Sequence, residues 1–306
     1  MEDIVYSQIK YEVAGHVFGI SVPSNVNSEK LLSSYRPFIL AEDDSRDCLF
    51  SVTVSVGELP EVGELIQLCN DEAPYLWLYR TSDASEGTDA LCFGFSFETD
   101  KPMAILKFKD GEDWSEGHLS IARGCRFSVA DSAINNAMML MYAYNTGWHD
   151  TLMMHASAPM KDGLGYIFLA KSGTGKSTHS QMWLDNIEGT ELLNDDNPVV
   201  RIVDGKVMLY GTPWSGKTPC YKNRCVPLGG AVRIIRAPYN KCTRLNIFEA
   251  YASILPSCSS MKWNEEWNKA QSSTIEKLIS SVACWNMECL PDAEAAKVCY
   301  AAVSNI

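Results

Sequence analysis

Apolar or alternating runs at 11–22, 49–56, 75–80, 91–97 and 103–107 predict a β-rich first region. Polar joints such as Glu42-Asp43-Asp44-Ser45 and Ser82-Asp83-Ala84-Ser85-Glu86-Gly87 separate them. The period then changes. Positions 128–147 carry apolar residues at helical spacing, with Asp131 and Ser132 as capping candidates, which predicts a linking helix. From 151 onward, strands at 152–158, 166–170, 191–193 and 228–236 alternate with a helix at 176–185. Between them, 199–203 and 206–210 read as a hairpin closed at Asp204-Gly205. The tail from 246 reads as mostly helical. This predicts a β-rich region over 1–126, a core with its leading helix over 127–245, and a helical C-terminal segment over 246–306.

Composition narrows the function classes. Of 306 residues, 46% are hydrophobic and 21% charged, an ordinary globular balance. The formal net charge of −12 leaves no broad basic face, so nucleic acid is not an expected partner. The start, Met1-Glu2-Asp3-Ile4, lacks the basic and apolar regions of a secretory leader. The longest apolar stretch, 137–144, is far short of the roughly 20 residues that span a bilayer. A cytoplasmic protein without a membrane partner is therefore expected. The eleven cysteines are an odd number, and their closest pairs, Cys220/Cys225 and Cys284/Cys289, lack zinc-module spacing. Reduced thiols are expected, with no metal assigned to them. His16 and His118 stand isolated and read as surface or edge histidines.

Two segments compete as a phosphate-binding loop. Gly211-Thr212-Pro213-Trp214-Ser215-Gly216-Lys217-Thr218 matches the G-x4-G-K-[ST] pattern literally. Ala170-Lys171-Ser172-Gly173-Thr174-Gly175-Lys176-Ser177 has Ala at the first glycine position. Context reverses the choice, because such a loop must end a buried strand and open a helix whose N–H groups and dipole face the phosphates. The apolar run 166–170 and the helical run after Lys176 provide that setting. Pro219 and Pro227 follow the other loop, and Pro213 and Trp214 interrupt it. In the chosen loop, Gly173 and Gly175 let the backbone curl, Lys176 faces the β- and γ-oxygens, and Ser177 is placed for Mg²⁺. Ser172, Thr174 and Thr178 complete the nucleotide-binding set. The literal match reads either as a flap, with Gly216 as hinge and Lys217 charging the transferring group, or as a hairpin end with a core Trp214.

Asn194-Asp195-Asp196 closes the short apolar strand, with Asp195 eighteen positions beyond Ser177. In a parallel αβ layer that strand end shares a side with the phosphate loop. One carboxylate can then hold a metal while the other accepts the proton of an attacking hydroxyl. Taken alone, the tetrad Asn194-Asp195-Asp196-Asn197 reads as a turn opening the hairpin. His155, on the strand before the loop strand, can reach the metal or a carboxylate.

The order His155-Ala156, then Ser172-Gly173-Thr174-Gly175-Lys176-Ser177-Thr178, then Asn194-Asp195-Asp196 resembles the HPr kinase/phosphorylase family. More remotely it resembles ATP-dependent phosphoenolpyruvate carboxykinase. The likeness runs over roughly 150–240 and takes in 211–217 and 226–231, segments similar to those of the shorter bacterial HPr-kinase-like proteins. The resemblance implies an α/β (α+β) fold with a bent mixed β-sheet P-loop core of the carboxykinase type. It implies ATP and Mg²⁺ as cofactors, Asp195 as general base, Asp196 and Ser177 as metal partners, and His155 as assistant to the acidic pair. The expected activity is γ-phosphoryl transfer to a hydroxyl, on a Ser of a protein or peptide or on a small molecule. Two alternatives stay open, a nucleotide-binding regulatory or scaffold protein and a carboxykinase, and a homo-oligomeric assembly is compatible with each reading.

Overall fold

The computed structural model describes residues 5–24, 28–70, 75–81, 91–96, 101–110, 113–171, 173–216, 218–261 and 263–304. The chain forms two compact units, Met1–Asn145 and Thr146–Ile306.

The first unit holds strands β1 (Tyr6–Val13) and β2 (His16–Pro23), a short helix α1 (Ser28–Leu31), then β3 (Phe50–Gly57), β4 (Leu65–Asn70), β5 (Tyr75–Arg80), β6 (Leu91–Ser96), β7 (Ala104–Asp110) and β8 (Asp113–Ala122). These strands form one mixed sheet in the order β1-β2-β3-β8-β7-β6-β5-β4. The run 11–22 is two strands rather than one, because Ala14 and Gly15 both take positive φ and close a two-residue hairpin. Helix α2 (Phe127–Thr146) belongs mainly to this unit, although its sequence position suggested a lead-in to the core. Its Tyr142 is buried against Phe18 and Phe50, and the Tyr142 hydroxyl donates to the Val13 carbonyl at 3.0 Å. Burying that ring ties the helix to the sheet.

The second unit contains β9 (Thr151–Met153), β10 (Ala156–Lys161), β11 (Leu164–Leu169), α3 (Lys176–Asn186), β12 (Glu191–Asn194), β13 (Val199–Val203) and β14 (Lys206–Tyr210). It continues through β15 (Cys225–Arg236), β16 (Lys241–Arg244), α4 (Ile247–Ile254), α5 (Glu265–Ser281), β17 (Cys284–Cys289) and α6 (Ala293–Val303). The sheet path is β12-β10-β11-β15-β14-β13-β9, with β17 also pairing β15 and β16 pairing β17. Long β15 joins the two arms. Its first residues pair with β14, and the rest run parallel to β11. Gly229 is skipped in the register between Leu228 and Gly230, a bulge where the strand changes partner.

Both faces of β11 are covered. Ile167 and Leu169 join a core with residues of β9, β10, β15, α4 and α5, while Tyr166 and Phe168 join Trp183 of α3 and Ala295 of α6. A strand buried on both sides reads as an unbroken apolar run, which is how 166–170 reads. The tail is not simply helical. β17 is a buried core strand parallel to β15, and its Asn286 and Glu288, residue types depleted in strands, concealed it. Among the described residues no helix is long and apolar enough to cross a membrane.

Candidate functional site

The expected strand 152–158 breaks at His155, and that break builds the site. Backbone N–H groups of Met154, His155 and Ala156 donate to the carbonyls of Pro198, Ser257 and Asp196, so the chain leaves one arm of the sheet and enters the other. β10 then runs antiparallel to both β11 and β12. The layer is therefore mixed, as the resemblance implied, and not the parallel layer through which the acid pair was placed beside the loop. β11 and β12 still point the same way because one antiparallel strand lies between them. The end of β11, the start of β10 and the end of β12 share one sheet edge, and they carry the loop after Leu169, His155, and the Asp195-Asp196 pair.

The loop differs from the literal motif in why it needs glycine. Gly173 and Gly175 adopt positive φ (71° and 124°), and a Cβ at Gly173 would meet nothing within 4 Å. These glycines serve backbone curvature around open space. Gly211 and Gly216 do not have positive φ; they are crowded instead. A Cβ at Gly211 would overlap the Lys222 carbonyl oxygen, and one at Gly216 would sit 3.0 Å from the Asp195 carbonyl oxygen and 3.2 Å from Asp196 Cβ. Gly211→Ala is accordingly expected to cost about 1–3 kcal/mol of stability through overpacking, with nucleotide affinity unchanged. Denaturant unfolding and titration calorimetry check the two parts.

Gly175 stands at the N-cap of α3 and has no side chain to cap it, whereas Asn246, Asn264 and Asp292 cap α4, α5 and α6. An uncapped N-terminus leaves first-turn N–H groups and the positive dipole end available to an anion. Lys176 opens that helix and is only 8% exposed. Its Nζ lies 2.9 Å from His155 Nε2 and 3.4 Å from the Ala170 carbonyl, with no ion pair among the described residues. Burial pushes the ammonium below the ordinary lysine range, against the opposing pull of Asp196 and Asp195.

His155 Nε2 also lies 3.3 Å from Asp196 Oδ1. That nitrogen accepts from Lys176 when it carries a lone pair and donates to Asp196 when it carries hydrogen. The ring thus links the cation to the acid pair. Asp196 Oδ2 accepts from Asn197 Nδ2 at 3.0 Å, and its backbone N–H donates to Asn194 Oδ1 at 2.9 Å. Asp195 is buried, and its Oδ1 accepts from Ser157 Oγ at 2.7 Å. Ser157 Oγ lies 2.6 Å from Ser180 Oγ. The one Ser157 proton goes to the carboxylate, so Ser180 donates to Ser157, and α3 reaches the carboxylate through two hydroxyls.

The structure thus joins Lys176, His155 and Asp196 by direct contact, and Asp195 to α3 through two serines. Ser177 and Thr178 are exposed at the start of α3, and Thr174 rims the loop. Ser172 and Lys217 lie outside the described residues. Trp214 is buried, and Asn194 Nδ2 donates to the Trp214 carbonyl at 3.0 Å, which favours the hairpin-end reading of that residue. Thr212 Oγ1 donates to the Asn197 carbonyl at 2.7 Å. The literal motif therefore clamps the turn that presents the acid pair.

Sequence reasoning missed Ser157, Ser180 and Arg236. Ser157 was detectable as the polar residue in an otherwise buried strand. Arg236 Nη2 and Nε donate to the Gly173 and Thr174 carbonyls at 2.6 and 3.1 Å, a contact 62 positions or more away in sequence. His179 was also missed. It is fully buried edge-on to Phe168, and neither ring nitrogen has a hydrogen-bond partner among the described residues. Burial pushes its pKa from 6.5 down to about 4. Below pH 6.5 the unfolded chain binds a proton that the folded ring refuses, so stability falls as pH drops from about 6.5 toward about 4. His179→Phe is expected to remove that loss, about 3 kcal/mol at most, in pH-dependent thermal unfolding.

No protein-family profile matches this chain, and no curated protein matches it. Among solved structures it is similar to the Hpr(Ser) kinase/phosphatase from Coxiella burnetii, at 11% identity and a TM-score of 0.30, over 50% of this chain and 94% of the other.

Proposed function

We propose that the second unit is an ATP- and Mg²⁺-dependent kinase that transfers the γ-phosphoryl group to a hydroxyl, on a Ser of a protein or peptide. The observation that carries this reading is the convergence at one sheet edge of an uncapped helix start, a buried Lys176, and an acid pair tied to both. Lys176 and the loop N–H groups bind the anionic end of the nucleotide. The donors at the acid pair are hard oxygens, which suit Mg²⁺, and Asp196 with Ser177 would hold it. Bound there, the ion would offset charge on the β- and γ-phosphates.

Asp195 is the general base. Ser157 holds its Oδ1, leaving Oδ2 without a protein donor among the described residues. The acceptor oxygen forms a bond to the γ-phosphorus, the bond to the ADP oxygen breaks, and the acceptor proton passes to Asp195. Lys217, next in the chain to Gly216, is assigned to the acceptor side. The test uses purified protein, γ-labelled ATP, Mg²⁺ and a serine-containing peptide library. Metal-dependent label on peptide serines supports the kinase. Nucleotide binding without transfer supports the regulatory alternative, and no binding overturns both.

A further inference from the structure

A sheet ends in strands whose outer N–H and C=O groups meet no partner strand, and proteins blunt such edges against unwanted pairing. In this chain β1 is closed by the Leu40 N–H, which donates to the Lys10 carbonyl at 3.0 Å, and by the bridge from Ile39 to Tyr11. β9 is closed by the Ser259 N–H on the Met153 carbonyl and by the bridge from Met154, the next residue, to Cys258. β12 is met by the Cys220 thiol, 3.4 Å from the Leu192 and Leu193 carbonyls. β16 is four residues long with Lys241 and Arg244 at its ends. β4 has no such cover among the described residues. It pairs with β5 on one side, runs six residues and contains no charge. Register shifts in that pairing follow Leu65 and Leu68, and bulges can turn an edge away from partners. Here they leave Leu65, Ile66 and Leu68 50%, 43% and 44% exposed, a short apolar ridge. Glu58, Glu61 and Glu64 lead into it, all exposed and without an ion pair among the described residues.

We infer that β4 is the docking edge for the peptide substrate, which adds to the sheet through an extended segment alternating apolar residues with Lys or Arg. The inference rests on the peptide-kinase reading for what the segment carries, whereas the edge itself stands on the first unit alone. Main-chain hydrogen bonds to the open side of β4 supply affinity, and alternate side chains supply selectivity. Apolar side chains of the segment cover Leu65, Ile66 and Leu68 and remove them from water. Its cations answer Glu58, Glu61 and Glu64. A second copy of this chain fits the edge worse. It brings the same three glutamates, and Asp71-Glu72 after the strand in sequence, to an edge that is already acidic.

Fluorescence anisotropy of a short labelled peptide alternating Val and Lys tests the edge. The protein is the wild type, Ile66→Lys, or the triple variant Glu58→Gln, Glu61→Gln, Glu64→Gln. A Val-Glu peptide, and a Gly-Lys peptide of the same charge, should bind roughly 10- to 100-fold more weakly than Val-Lys. Successive N–H groups of a strand face opposite edges, so N-methylation of either all Val or all Lys residues should abolish binding and the other pattern should keep it. Both protein variants should bind Val-Lys roughly tenfold more weakly at an unchanged melting temperature. Equal affinity for Val-Lys and Gly-Lys would overturn the docking edge, as would unchanged affinity in both variants or full binding by both methylated peptides. Dimerisation of the wild type that Ile66→Lys abolishes would assign the edge to a second copy instead. For the substrate role, a Ser peptide joined to the Val-Lys segment by a flexible Gly-Ser linker is compared with the Ser peptide alone, using labelled ATP and Mg²⁺. The joined peptide should show a KM lower by roughly 10- to 100-fold, a gain lost in Ile66→Lys at unchanged kcat. Transfer with no gain from the segment overturns the substrate role and leaves the kinase standing. Segment binding with no transfer to either peptide keeps the docking edge and overturns the kinase reading.

Discussion

Replacing Asp195 by Asn is expected to slow phosphoryl transfer by on the order of 10²–10⁴ while leaving MgATP affinity nearly intact. The amide keeps the shape of the carboxylate and can still accept from Ser157 Oγ, which lies 2.7 Å from Oδ1. It cannot take the acceptor proton. Ser157→Ala should lower the rate by a smaller factor, roughly 10- to 100-fold, by releasing the carboxylate from its charge-assisted hydrogen bond. Asp196→Asn should behave differently and raise the Mg²⁺ concentration needed for half-maximal rate. Rate and metal titrations of the three variants separate these roles. Identical metal-dependence curves for the two aspartate variants would reject the division of labour between them.

Lys176→Met should weaken ATP binding by on the order of 10²–10³, the effect of removing one partner of a buried charge contact. The apo protein should be no less stable. Lys176 is 8% exposed, and its nearest polar atoms are a histidine nitrogen and a carbonyl oxygen. That surrounding compensates a cation poorly, so a methionine of similar length relieves desolvation rather than breaking an ion pair. The combination of lost affinity and kept stability identifies a lysine held for an anion. Calorimetry and thermal unfolding read the two halves. A drop in melting temperature with unchanged ATP affinity would instead make Lys176 a structural residue.

Much of the local structure was legible because it depends on neighbours in sequence. The hairpin closed by Asp204-Gly205 forms as its turn residues require, with both at positive φ. Helix α3 starts at Lys176, where a strand and a glycine pair announce it. The choice between the two glycine-rich segments also rested on sequence context. The structure adds a physical distinction: positive φ around open space at Gly173 and Gly175, steric crowding at Gly211 and Gly216.

Other features depend on partners far along the chain. The break at His155 arises because Pro198, Ser257 and Asp196 supply carbonyls to three successive N–H groups. β17 lies in the core because β15 offers it an edge, a contact that its own Asn286 and Glu288 do not advertise. Arg236 is an ordinary strand-end arginine until the fold brings it to the carbonyls of Gly173 and Thr174.

The sequence by itself determined which residue types could do chemistry and their order: a loop with two glycines and a lysine, an acid pair, and a histidine upstream. Turn preference, helix periodicity and strand hydrophobicity act over a few residues, and a reader of the chain has them all in view. Only the tertiary structure decided that His155 lies between Lys176 and Asp196, that Asp195 is held by Ser157 and Ser180, and that a cavity lined by Gly173, Thr174 and Gly175 flanks the loop. Those relations follow from strand order and register, which are set by pairings between segments tens of residues apart and leave no periodic trace in the sequence.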